Sequence, residues 1–266
     1  MTTRTDIAFQ HDTLLSKVPA VTATFWLAKI LATTVGETGG DALSMTFNLG
    51  YAVATLIFLA FFAVTLTLQV RADRYRAPVY WCVVIATTTV GTTLSDFLDR
   101  TVGLGYVASS AALLLAVLAI LFAWRRVCGR IEYAHIARPK DEVFYWVAIL
   151  VSNTLGTALG DFAADSAGLG FEGGALVFAG LLAIVAVTWR WSKRVPMSVL
   201  FWSAYVITRP LGATLGDTLT KAHAQGGLAL DRVSASLTIL AAMAIVLVLQ
   251  RLGAGSAPQA ASSAAD

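Results

Sequence analysis

Apolar runs long enough to form membrane-crossing helices recur from Val21 to Leu249. They come in pairs. The first run of each pair leads from a tryptophan to an aspartate, and the second follows a glycine, as in YAVATLIFLAFFAVTLTLQV and YVASSAALLLAVLAILFAW. Each is close to the ~20 residues that a bilayer's hydrocarbon core demands of a helix. Four pairs predict eight transmembrane helices: an all-α integral membrane protein with no soluble domain.

The pairs are copies of one unit. FWLAKILATTVGETGGD, YWCVVIATTTVGTTLSD, YWVAILVSNTLGTALGD and FWSAYVITRPLGATLGD align without a gap. Each opens on an aromatic–Trp step containing Trp26, Trp81, Trp146 or Trp202. Ten residues on comes Gly36, Gly91, Gly156 or Gly212, then Asp41, Asp96, Asp161 or Asp217, then Gly50, Gly105, Gly170 or Gly226. The repeats span about 21–70, 78–125, 142–191 and 198–250 within a single membrane domain, 18–251. Residues 1–17 are polar and read as a cytoplasmic N-terminal segment. Residues 252–266, rich in Ala, Ser and Gly, read as a disordered tail. Two helices per repeat is an even number, so all four repeats point the same way, around an axis along the membrane normal. A pseudo-fourfold ring and two paired halves both satisfy this.

Composition removes the soluble alternatives. The chain is 57% hydrophobic and 13% charged, against roughly 45–50% and 25% in soluble domains. The formal charge of +3 is too small to point to a nucleic-acid partner. Its distribution is informative. Fourteen Lys and Arg lie in the N-terminal segment and the breaks after even helices. Only Arg100, Lys221 and Arg232 lie in the breaks inside repeats. The positive-inside rule then puts both termini in the cytoplasm, with the Trp pairs as anchors at that interface. The aspartates come roughly 22 Å further along, toward the outer side. Cys82 and Cys128 lack CxxC spacing and fall near the cytoplasmic side, so no disulfide is expected.

At i, i+4 spacing the odd helices carry one polar face. Its levels are Lys29, Val84, Ile149, Tyr205; then Thr33, Thr88, Asn153, Arg209; then Glu37, Thr92, Thr157, Ala213; then the four aspartates. Such a face belongs against protein or a water-filled cavity. Beside it run small-xxx-small pairs beginning at Gly36, Gly91, Gly156 and Gly212, which let helices approach closely. The odd helices hold Glu37, Asp41, Asp96, Asp161 and Asp217 against Lys29 and Arg209, an acidic excess that protons or a cation would balance. Carboxylates with Thr92 and Asn153 form a hard oxygen donor set suited to Mg²⁺, Mn²⁺ or Ca²⁺. Which metal, if any, the sequence leaves open. Arg209, followed by Pro210 in mid-helix, is expected to serve as counter-charge, with Glu37 as first-choice partner and an anionic substrate as the alternative. Asp99 and Asp165 add acids beyond the main aspartates.

No other chemistry stands out. His11, His135 and His223 lack metal-ligand spacing, and no GxSxG, HExxH or Walker loop occurs. An enzyme is not expected, nor a cofactor. The four aromatic–Trp pairs, glycines and aspartates resemble the bacterial membrane-anchored proteins of the domain of unknown function 347 repeat, over residues 21–250. The resemblance implies a multi-pass protein of the bacterial inner membrane with eight helices, and no particular activity. Thr208–Arg209–Pro210 and Gly39–Gly40–Asp41 depart most among the repeats, against strict fourfold symmetry. The function expected is a transporter or exporter of a hard inorganic cation, with or without proton coupling, through a ring of intramembrane aspartates. A cation pore, or a scaffold or sensor with structural aspartates, are the alternatives. Beyond lipid and a small cation or protons, the sequence assigns no partner and no oligomeric state.

Overall fold

The computed structural model describes residues 17–131, 136, 138–192 and 194–255. The expectations for the N-terminal segment before residue 17, His11, His135 and the tail from 256 lie outside these residues. Among them there are eight α-helices and no strand. The odd helices are α1 (Ala23–Asp41), α3 (Ala77–Asp96), α5 (Pro139–Asp161) and α7 (Met197–Thr220). The even ones are α2 (Gly50–Val70), α4 (Gly105–Cys128), α6 (Gly170–Trp191) and α8 (Arg232–Gly255). Six are long and apolar enough to cross a membrane. The exceptions, α1 and α7, carry Lys29, Glu37 and Asp41 or Arg209, Pro210 and Asp217.

Local chemistry sets the helix ends. Thr22 Oγ1 caps α1 by accepting from the Phe25 amide at 3.2 Å, and Pro78 and Pro139 occupy first turns, where no amide is missed. Asp231 caps α8, accepting from the amide and hydroxyl of Ser234 at 2.8 and 2.9 Å. Those bonds favour its carboxylate and hold its pKa below the usual range. After each of the first three aspartates the helix widens into one π-helical turn. The chain then reverses through two left-handed residues, Asn48/Gly50, Gly103/Gly105 and Gly168/Gly170. Glycine or asparagine takes that backbone shape at least cost, which explains the repeated glycine.

The odd helices form a closed inner ring in the order α1, α3, α5, α7 and back to α1. Each even helix packs outside the odd helix of the following repeat: α2 on α3, α4 on α5, α6 on α7, and α8 back on α1. The apolar windows of the even helices are only 17–22% buried, against 67% for α3 and α5. An outer shell of Leu, Val, Ile and Phe therefore surrounds a polar inner ring. Of the two arrangements compatible with the sequence, the helices adopt the pseudo-fourfold ring.

Two repeated contacts close it. At one end the leading aromatic of each repeat meets the tryptophan of the next. Phe25 lies 5.8 Å from Trp81, Tyr80 5.7 Å from Trp146, Tyr145 5.9 Å from Trp202, and Phe201 5.7 Å from Trp26, between ring centroids. Trp81, Trp146 and Trp202 are consequently buried and Trp26 is half-buried. The tryptophans expected as interface anchors thus also serve as contacts between repeats, where aromatic pairs bury large apolar area in edge-to-face and tilted arrangements. Further along, each repeat's glycine abuts the polar residue three positions before the next repeat's glycine. Gly36 meets Thr88, Gly91 meets Asn153, Gly156 meets Arg209, and Gly212 meets Thr33.

Candidate functional site

Beyond the aromatic end the ring interior is polar and closed to solvent. Lys29, Thr33, Glu37, Asp41, Thr88, Thr92, Asp96, Asn153, Thr157, Asp161, Arg209 and Asp217 are all buried. The small residues at 36, 91, 156 and 212 bring the helices close enough for these side chains to meet.

Arg209 is the hub of the middle. Its Nη2 donates to Glu37 Oε2 at 3.0 Å and to the hydroxyls of Thr92 and Thr157 at 2.6 Å each. Thr92 Oγ1 also lies 3.2 Å from Glu37 Oε2. One guanidinium thus ties α7 to α1, α3 and α5. Asn153, offered by its sequence position as a cation ligand, donates through Nδ2 to Thr87 Oγ1 at 3.0 Å, and its Oδ1 has no partner.

The four aspartates sit at the far end, joined in two pairs. Arg100 Nε lies 3.0 Å from Asp96, and its Nη2 lies 3.7 Å from Asp161. Lys221 Nζ lies 3.0 Å from Asp41 Oδ2 and 3.1 Å from Asp217 Oδ1. Arg232 adds a longer contact to Asp41, 3.6 Å. Each bridging cation follows its own repeat's aspartate by four residues and reaches the aspartate of the next repeat. Repeats one and three have Met45 and Asp165 at that position. The charges are therefore twofold where the backbone is fourfold.

These cations revise the charge balance. Sequence reasoning treated Arg100, Lys221 and Arg232 as loop charges and missed them as site residues. The signal available was the i, i+4 spacing of Asp96/Arg100 and Asp217/Lys221. With them counted beside Lys29 and Arg209, five cations stand against the five acids, and the formal acidic excess is gone. Burial works against the Lys221 ammonium, but Asp217 and Asp41 outweigh it and hold its pKa well above the ordinary range.

Lys221 sits at the mouth of a potential cation site. Glu37, Asp41 and Asp217 each offer a carboxylate oxygen, and these lie within 4.8 Å of one another. The extra acids lie apart: Asp99 accepts from Ser95 at 3.2 Å and Asp165 from Tyr106 at 3.3 Å. His223 pairs with the Gly227 carbonyl, and Cys82 and Cys128 are free thiols.

A family model described as a Repeat of Unknown Function (DUF347) matches the chain four times, at residues 24–75, 79–129, 144–195 and 200–254. No curated protein and no solved structure matches the chain.

Proposed function

We propose that this chain, which belongs to the DUF347 repeat family, is a multi-pass carrier of the bacterial inner membrane that moves a hard inorganic cation in exchange for protons. All eight helices cross the bilayer in this reading. Although α1 and α7 are less apolar, they are as long as their neighbours and complete the ring with α3 and α5. Their charged groups are buried in the interior and do not face lipid, and all but Lys29 are ion-paired there. The aromatic end faces the cytoplasm, in line with the excess of Lys and Arg in the breaks beside it.

The observation that carries the proposal is the Lys221 ammonium set between Asp41 and Asp217, with Glu37 beside them. The site already holds a cation, one tethered to the chain. Three carboxylates suit Mg²⁺, Mn²⁺ or Ca²⁺, with water completing the shell. Lys221 follows the last residue of α7 in extended backbone, and in this reading its side chain moves aside for the metal while the helices stay in the ring. As the metal leaves, Lys221 or protons restore the balance. An open pore fits less well, because the aromatic contacts and the Arg209 hub close the interior toward the other end.

The test is flux. Purified protein in liposomes containing a metal-sensitive dye should admit Mn²⁺, Mg²⁺ or Ca²⁺ saturably, with a matching change in lumenal pH. Asp217→Asn should abolish it. The proposal is wrong if none of the three ions moves, or if Asp217→Asn and Asp41→Asn both carry the wild-type flux.

A further inference from the structure

The carboxylates leave one buried cation unanswered. Lys29 lies on α1, fully buried, and its Nζ has no hydrogen-bond partner. It sits over the ring of Tyr205, 4.3 Å from the centroid. One turn along α7 from Tyr205, about 5.4 Å of rise, is Arg209, also fully buried. Glu37 is paired with Arg209 through Nη2, while Arg209 Nε and Nη1 remain without partners. Tyr205 Oη and Trp202 Nε1 are likewise buried and unpartnered, with the Trp202 and Tyr205 rings 5.7 Å apart. Nearby Thr33, whose hydroxyl lies within donating distance of the carbonyls of Lys29, Ile30 and Thr208, is neutral and supplies no counter-charge. Asn153 Oδ1, an unpartnered acceptor on α5, is neutral and cannot offset two charges.

Lys29 Nζ on α1 and Arg209 Nε and Nη1, Tyr205 Oη and Trp202 Nε1 on successive turns of α7 are thus all without partners, between the aromatic end and the Glu37–Arg209 pair. A buried ammonium beside a guanidinium is costly, and the cost is relieved either by loss of the ammonium proton or by a negative group that joins them. We propose that Lys29 and Arg209, flanked by Tyr205 and Trp202, form an anion site in the middle of the ring. It takes a small monovalent anion, of halide, nitrate or short-carboxylate size. Charge-assisted bonds from Lys29 Nζ and Arg209 Nη1 hold it, and Tyr205 Oη orients it. The site meets the Asp41–Asp217–Glu37 cluster at the Glu37–Arg209 pair, and anion binding there stands whether or not a metal is carried. The interior would then hold an acceptor-rich chamber and a donor-rich chamber, with Glu37–Arg209 as the wall between them.

The experiment uses purified full-length protein in detergent, exchanged into gluconate at constant ionic strength. Chloride, iodide, nitrate, formate and acetate are then titrated, with melting temperature as one readout and tryptophan emission as the other. At least one of these anions should raise the melting temperature saturably. Iodide, bound beside Trp202, should quench emission along a saturating curve. Lys29→Met should weaken binding about 10- to 100-fold, the loss of one charge-assisted bond, and Asp217→Asn should leave it intact. If Lys29→Met does not fold, the wild-type iodide curve decides: linear, non-saturating quenching overturns the site. So does a melting temperature indifferent to all five anions, or binding that Lys29→Met leaves unchanged.

Discussion

Replacing Gly91 with alanine tests whether the ring is as tight as its contacts require. A Cβ built there lies 2.9 Å from the Asn153 carbonyl carbon, 3.0 Å from Asn153 Cβ and 3.0 Å from the Thr154 nitrogen. Two of these are backbone atoms of α5, so no rotamer change relieves them. The helices must separate by about half an ångström to reach ordinary contact. Overpacking of this kind costs about 1–3 kcal/mol, and the better helix propensity of alanine returns up to about 1 kcal/mol. With backbone on the far side the cost falls in the upper part of that range, leaving a net loss of about 1–2 kcal/mol. The melting temperature should fall by about 2–8 °C. Gly180, on the outward side of α6, has nothing within 4 Å of its Cβ position. Gly180→Ala should therefore melt at or slightly above wild type. Thermal melts in detergent, followed by tryptophan emission, compare the two. If Gly91→Ala melts no lower than Gly180→Ala, the close approach of α3 and α5 is wrong.

Other consequences follow from individual contacts. Glu37→Gln leaves the buried Arg209 guanidinium uncompensated and should cost about 3–5 kcal/mol. Adding Arg209→Met should recover a measurable part in a double-mutant cycle of melting temperatures, and strict additivity would deny the pair. Trp124→Phe removes the 2.8 Å indole bond to buried Asp141 and should lose about 1–3 kcal/mol in the same melts. The Lys221 bridge has a defined pH sign. Its pKa is raised on folding, so its contribution is complete below the ordinary lysine value of about 10.4 and fades only above it. The melting difference between wild type and Lys221→Met should thus hold constant from about pH 6 to pH 9. A difference that disappears within that window would contradict the bridge.

The repeat itself was plain in the sequence, because glycine, tryptophan and aspartate recur at fixed spacing for geometric reasons. Gly91 and its counterparts mark where helices touch. The second glycine marks where the backbone turns left-handed. The tie between Arg209 and Glu37 was also legible, since a mid-helix arginine needs an acid and Glu37 is the extra one. What escaped is set by tertiary packing. Nothing in α2 or α8 tells that each covers the odd helix of the next repeat, since lipid and protein accept the same apolar surface. The tryptophans fit a headgroup anchor and an aromatic cluster equally well until neighbouring helices are placed. Arg100 and Lys221 looked like loop charges because their side chains fold back over the helix ends. That return splits the aspartates into two bridged pairs, which a fourfold alignment of the acids alone conceals.

The central claim is that Asp41, Asp217 and Glu37 form a cation site whose present occupant is Lys221. Binding of Mn²⁺ to purified protein by titration calorimetry tests it most directly, with wild type, Lys221→Met and Asp41→Asn/Asp217→Asn in parallel. Removing the tethered competitor should tighten Mn²⁺ binding, and removing the two carboxylates should abolish it. If folded Lys221→Met binds Mn²⁺ no better than the double carboxylate variant, these acids serve the lysine alone and the cation site does not exist.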